Sequence, residues 1–596
     1  MAPRLALLAL LSALLLAGAA PASAVALSAA PPSRSPTSSA TIGSALTAGS
    51  PATTGKATTT TAAANPEAPV PVAPSDMPPP GRRLSPNRVL QIAGALGKMR
   101  AVRARYRGSY GGAYLKGPGR WQVSYFSKQG KEVGQVIVAD ANGRVLEEWT
   151  GFQIAWSMAR GYPGAFGRHV NALYIWIPLC VLFFVPFFDW RKPLRLLHLD
   201  LLVLLSFSVS LAFFNHGRIG VSTPLVYPPL AYLLVRMLAL TRRRSQAPRA
   251  LRLLIPAPWL AVGVVFLLGF RVGLNVTDSN VIDVGYAGVI GAQRITQGKP
   301  LYGNYPSDNE HGDTYGPVNY ESYVPFQQLF GWSGRWDQLP AAHAAAIVFD
   351  LLAAALLFLL GRRVRGPGLG TALAYAWVSY PFTLFALESN SNDTLVAVLV
   401  LAALLVASSP PARGAFAALA GLTKFAPLAL APLLCAHGLS EMAPRRRPRA
   451  VALFVLAFLL TAAIACVPAL THDSLHTIFE RTLAYQADRE SPFSIWGLYA
   501  GSPALGYVQA AVQGAALALV LGLAIIPRRA DLVGLAAAAT AVLVAVQLGV
   551  DHWFYLYIPW FFGLTMLALL GSFSEPGCTD RAVASGSARS SQLAAA

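Results

Sequence analysis

Apolar residues in this chain come in long uninterrupted runs rather than at helical or strand spacing. Such runs fall at Ala172–Phe188, Leu199–Phe214, Val221–Leu240, Leu253–Gly273, Ala341–Leu360, Gly368–Leu387, Thr394–Ser408, Ala415–Ala436, Val451–Leu470, Pro503–Ile526, Leu532–Val550 and Phe554–Leu570. A helix crossing the hydrocarbon core of a bilayer needs about 20 apolar residues, so the pattern predicts about twelve membrane-crossing segments. The expected fold is mainly α: a polytopic transmembrane helical bundle.

Before the first of these runs the pattern changes three times. Arg4, the apolar run Leu5–Ala17 and Ala22-Ser23-Ala24 have the layout of a signal peptide over residues 1–24. Residues 25–83 are rich in Ala, Pro, Ser and Thr, with almost no large apolar side chain. They cannot bury enough surface to repay the entropy of ordering, which predicts a disordered linker. Residues 84–165 return to a folding pattern. Val89, Ile92, Leu96 and Met99 share one face of a helix expected from Ser85 to Arg103, and Trp121–Phe126, Val133–Val138 and Val145–Trp149 alternate as strands. This predicts a small extracytoplasmic α+β domain. Accessory spans follow over 170–252, a membrane core over 253–571 and a cytoplasmic tail over 572–596.

The composition agrees with lipid as the solvent. The 596 residues are 54% hydrophobic and 12% charged, where soluble domains carry about 25% charged residues. The formal charge of +20 sits largely in short clusters beside apolar runs: Arg191-Lys192, Arg242–Arg244, Arg362-Arg363, Arg445–Arg447 and Arg528-Arg529. Positive clusters flanking spans mark the cytoplasmic side, so nucleic-acid binding is set aside. Cys180, Cys435, Cys466 and Cys578 form no CxxC pair, and neither a disulfide framework nor a zinc site is expected.

Simple alternation of spans would put Arg445–Arg449 on the wrong side. Gly421, Lys424, Pro427 and Pro432 interrupt the run Ala415–Ala436. A broken, re-entrant pair there returns the chain to the cytoplasm and brings every cluster to one side.

The long segment between Asn275 and Pro340 then lies outside, and loops of that length are usually functional. It carries Asp278, Asp283, Asp308, Glu310, Asp313, Glu321 and Asp337 among many Tyr and Trp. Carboxylates accept sugar hydroxyls and aromatic rings stack on their C–H faces. Asp308, Glu310, His311 and Asp313 could hold a divalent cation, although their spacing matches no known metal loop and no cofactor is otherwise expected.

Val281-Ile282-Asp283-Val284-Gly285-Tyr286 and Gln297–Tyr302 look like the first external loop of the GT-C glycosyltransferases. More narrowly, they are similar to family 87, polyprenol-phosphate-mannose-dependent mannosyltransferases. Tyr315-Gly316-Pro317, Gly421–Pro427, Arg481 to Trp496 and His552–Pro559 continue the resemblance, which spans about Leu253 to Leu570. The segment Trp121–Gly151 similarly resembles the PepSY module, which binds or regulates.

The family resemblance implies an inverting transfer of a mannose-like sugar from a polyprenyl-phosphate donor to an extracytoplasmic lipid or glycan acceptor. Such a reaction needs a base on the acceptor hydroxyl and cations for the leaving phosphate. Asp283, just beyond a span, is the candidate base, with Asp278 its nearest competitor. Lys424 inside the broken run is the first candidate phosphate ligand, since an ionisable group at membrane depth marks function. Arg481, Arg489 and His552 come second. Tyr286, Tyr302 and Tyr315 are candidate sugar contacts. Glu388, Asn390, Asn392 and Asp393 either bind hydroxyls or cap the next helix. Two other readings suit the same pattern: a transporter of a lipid-linked or small substrate, and a non-catalytic membrane scaffold carrying the PepSY-like domain.

Overall fold

The computed structural model describes residues 69–161, 168–242, 249–250, 253–487, 489, 491–526 and 530–574. The expected signal peptide, Arg243-Arg244, Arg528-Arg529, Cys578 and the tail beyond Ser574 lie outside the described residues. The chain divides into two compact units, Val25–Gly161 and the remainder.

The smaller unit is an antiparallel sheet in sequence order: β1 (Val70–Val72), β2 (Tyr110–Leu115), β3 (Arg120–Phe126), β4 (Glu132–Ala139) and β5 (Val145–Thr150). Two helices, α1 (Pro86–Gly94) and α2 (Gly97–Arg105), bury Val89, Ala93, Met99 and Val102 with Trp121, Val123, Val136 and Val138 from the sheet. The single expected helix is therefore broken: Leu96 adopts an extended backbone between Gly94 and Gly97, residues that favour helix least apart from proline. The linker expectation is corrected over its last stretch. Val70–Val72 pairs with Ala113–Leu115, and the backbone N–H groups of Arg83 and Leu84 donate to the Asp140 carboxylate at 2.9 and 3.0 Å. Strand β2 was hidden by Gly111 and Gly112, residues of low strand propensity, and forms because β3 offers a full ladder from Phe126 to Trp121.

Among the described residues of the larger unit six helices are long and apolar enough to cross a membrane: Leu196–Asn215, Ile219–Arg242, Ala257–Asp278, Pro340–Arg365, Pro444–Leu470 and Pro503–Ile525. The other expected runs form shorter or broken helices. The run at Gly368–Leu387 is two helices, because Pro381 has no N–H to donate and holds Tyr380 extended. Leu532–Leu548 and Ile558–Leu570 are buried almost throughout. The peripheral helices instead leave Val262, Val265, Phe266, Leu456, Leu460 and Ile464 uncovered. So much apolar surface is untenable in water and is what lipid tails cover.

Four helices position the site: α3 (Asp283–Thr296), α4 (Asp393–Leu405), α5 (Pro410–Thr423) and α6 (Ile558–Leu570). From α5 the chain turns at Lys424 and comes back through Ala426–Leu430 and Ala431–Ala436. The turn is fixed at both ends. Lys424 bonds to Asp393, at the start of α4, while Arg413 donates to the carbonyls of Ala407 and His437 at the base. That base is the basic end of the bundle: Arg363 donates to Leu405 O and Arg365 to Gly571 O. The opposite end gathers the segment 279–339, the turn 389–392, residues 471–487 and 491–502 and residues 549–557, with Leu301 and Tyr302 bonded to Asp473 and Ser491 to His552.

Candidate active site

Asp283 is the first residue of α3, and two backbone hydrogen bonds set its place. Asn280 N donates to Glu388 O at 3.0 Å and Ile282 N to Ser389 O at 3.2 Å. Asn390, with φ of 50°, turns its side chain back to donate to Asn280 O and Ser279 Oγ, and Asn275 donates to its Oδ1 at 2.9 Å. The two segments touch closely, since a Cβ on Gly285 would fall 2.2 Å from Asn390 O. Asp283 keeps accessible surface, yet burial pushes its carboxyl above the usual range against the pull of Arg489 and Lys424. Its surface is thus open while the protein around it still penalises its charge. Its competitor Asp278 is otherwise engaged, meeting His169 Nδ1 at 2.5 Å and His169 N at 3.1 Å.

Lys424 stands opposite, at the tip of the hairpin. Its ammonium donates to Asp393 Oδ1 at 2.6 Å and lies 5.3, 5.4 and 5.3 Å from the ring centres of Tyr315, Tyr557 and Trp560. Trp560 Nε1 donates to the same Asp393 oxygen at 2.9 Å. An aromatic box with one carboxylate satisfies a buried ammonium, because ring faces are electron-rich. The Lys424 ammonium is thus held by Asp393 and the three rings while its charge still reaches Asp283. The close approach of Tyr315 depends on Gly316, whose added Cβ would fall 2.0 Å from Leu422 O.

The other expected cations separate. Arg481 grips Asp313 with two 2.8 Å bonds and donates to Glu310 O at 2.6 Å, so it braces the loop 279–339. Arg489 is the foremost charge acting on Asp283 and also acts on Tyr315, Tyr557 and His552. His552 meets Ser491 Oγ at 2.8 Å. Burial, with Arg489 and Lys424 nearby, holds it well below the usual histidine range and therefore neutral.

Of the tyrosines, Tyr315 reaches the site. Tyr286 is buried against Trp336, at 5.0 Å between ring centres, and Tyr302 is buried with its hydroxyl on Tyr315 O. Both are packed inside the loop 279–339. Glu388 is fully buried and neither of its oxygens has a hydrogen-bond partner, while Asn392 donates to Asn319 at 2.6 Å. Neither is open to a sugar. The capping alternative also fails, because α4 has no side-chain cap. The expected cation group does not assemble: Asp313 is taken by Arg481 and Gly303 N, and among the described residues no three His, Cys, Asp or Glu converge. Asp393, Tyr557 and Trp560 were not singled out as parts of a lysine box. The one signal was a lysine in an apolar run, which requires a buried partner somewhere.

No curated protein and no solved structure matches the chain. The family model of glycosyltransferase family 87 matches residues 314–548, less than half of the chain. The match takes in Tyr315, Asp393, Lys424, Arg481 and Arg489 and leaves Asp283 and His552 outside. With the apolar helices, it supports reading the larger unit as a membrane glycosyltransferase similar to family 87.

Proposed function

We propose that this protein transfers a mannose-like sugar from a polyprenyl-phosphate donor to a lipid or glycan acceptor outside the cytoplasm. The observation that carries the reading is Asp283, an accessible carboxylate with the positive charges of Arg489 and Lys424 acting on it. Donor class and mannose follow the family resemblance.

The acceptor hydroxyl gives its proton to the Asp283 carboxylate as its oxygen bonds to the anomeric carbon. The bond from that carbon to the phosphate oxygen breaks on the opposite face, its electron pair leaves with the phosphate, and the configuration inverts. A base whose pKa is raised towards the working pH takes a proton more effectively than an ordinary carboxylate. Arg489 is the ligand for the departing phosphate, since a guanidinium can bind two of its oxygens at once. Lys424, fixed by Asp393, adds positive potential without moving. The basic end of the bundle, with Arg363, Arg365 and Arg413, is the cytoplasmic one, which turns the site outward. The smaller unit, PepSY-like in its helices over an antiparallel sheet, is a binding module without chemistry of its own.

Lipid analysis of a deletion strain, complemented with the wild type or with Asp283→Asn, tests this. The expected result is an under-glycosylated acceptor that accumulates in the deletion and persists with Asp283→Asn at normal protein level. Product formation by that variant would remove the base assignment. An unchanged glycolipid profile in the deletion would remove the transferase reading.

A further inference from the structure

Residues 69–161 carry fourteen Lys and Arg against five Asp and Glu. All five acids have partners within this unit. Asp140 takes Trp121 Nε1 and the N–H groups of Arg83 and Leu84; Glu147 takes Trp149 Nε1; Glu148 pairs with Lys98; Glu132 accepts from Gln135 and Asp76 from Asn87. The excess positive charge is divided between the two ends of the sheet: Arg82, Arg83, Lys116, Arg120 and Arg144 lie at one, and Arg105, Arg107, Lys128 and Lys131 at the other, which also carries the exposed Tyr106 and Tyr110. There α2 runs out at Arg105, followed by the turn through Tyr106 and Arg107 into β2. The turn carrying Lys128 and Lys131 lies alongside, because a Cβ on Gly108 would sit 2.2 Å from Lys128 Cε. Tyr110 opens β2 at this end, 57% exposed and stacked 5.6 Å from Phe126.

We propose that this face, formed by Arg105, Tyr106, Arg107, Tyr110, Lys128 and Lys131, binds the surface of an anionic bilayer. Each Lys or Arg near such a surface adds about 1 kcal/mol, within a Debye length. Exposed tyrosines suit the same boundary, with ring towards the acyl chains and hydroxyl towards water. The connection also favours a lipid partner over a soluble polyanion: eleven residues of sequence separate Gly161 from Leu173, where the apolar helices begin, so whatever affinity the unit has for a bilayer acts at high effective concentration. This inference does not depend on the transferase reading.

The full-length protein in nanodiscs, with or without anionic lipid, is exposed to a water-soluble amine-acylating reagent and each lysine is quantified by mass spectrometry. Lys116, at the far end of β2, serves as the internal reference. The expected result is that Lys128 and Lys131 react roughly tenfold more slowly, relative to Lys116, when anionic lipid is present. High salt, or Arg105→Ala with Arg107→Ala and Tyr110→Ala, abolishes the difference. Equal labelling in both lipids overturns the proposal. So does protection by a soluble anionic polysaccharide in nanodiscs whose lipid has no effect.

Discussion

The Lys424 ammonium meets the Asp393 carboxylate at 2.6 Å, and three aromatic rings close around the rest of it. Neither group is stable alone at this depth, where removing one partner of a buried ion pair costs about 3 to 5 kcal/mol. Asp393→Asn is therefore expected to lower stability by about that amount in denaturant unfolding in detergent. The double variant Asp393→Leu with Lys424→Met removes both charges and recovers most of the stability, yet stays inactive in sugar transfer because the positive potential is gone. Recovery of activity along with stability would reduce the pair to a packing device.

Asp283 sets the direction of the pH dependence. Burial raises its carboxyl and Arg489 opposes the rise. The base works when ionised, so kcat/KM climbs with pH through the raised value and is lost below it. Arg489→Gln removes the main opposing charge and moves that limb to higher pH, beyond any general loss of rate. For stability the sign is reversed: a raised folded-state pKa contributes below the unfolded value, and the contribution disappears as pH rises through the folded one. A pH–rate profile of the two proteins checks the shift. A limb that stays put on loss of Arg489 would separate the two residues. His552, held neutral, contributes no limb near the ordinary histidine range.

The helices were legible because lipid demands long apolar runs, and the bend at Lys424 because Gly421, Pro427 and Pro432 interrupt one of them. Asp283 stood out from its motif and from its place just past an apolar run. What the chain order conceals is pairing. Asp393 lies 31 residues from Lys424, Trp560 lies 167 from Asp393, and Asp313 lies 168 from Arg481. Periodicity carries no information about contacts of that separation. An arginine that braces a loop therefore looked the same as one waiting for a phosphate, and a buried glutamate looked like a sugar contact.

Gly316 tests whether the box over Lys424 matters. Its φ of −71° suits any residue, so the constraint is space alone: an added Cβ would fall 2.0 Å from Leu422 O. Gly316→Ala must push Tyr315 away from the hairpin, and overpacking of this kind costs about 1 to 3 kcal/mol. The expected outcome is a folded protein, monodisperse in detergent, with transfer reduced at least as much as in Tyr315→Leu. Full activity in Gly316→Ala would mean that Tyr315 does not need its position over the ammonium.

Arg481 separates bracing from phosphate binding by a single conservative change. Asp313 is completely buried and Arg481 meets it through two 2.8 Å bonds. The guanidinium is held all the more firmly protonated, chiefly by those bonds. Lysine is an adequate ligand for a phosphate, being a point charge, but it cannot reproduce a planar two-bond grip on a carboxylate. Arg481→Lys is accordingly expected to lower stability by about 1 to 2 kcal/mol, and Arg481→Met by about 3 because Asp313 is left buried and unpaired. Unfolding curves in detergent give both values, and the losses shrink when Asp313→Asn is added to either variant. An Arg481→Lys protein as stable as wild type, with only its donor KM altered, would instead make Arg481 a ligand of the leaving phosphate and leave Asp313 held by Gly303 N alone.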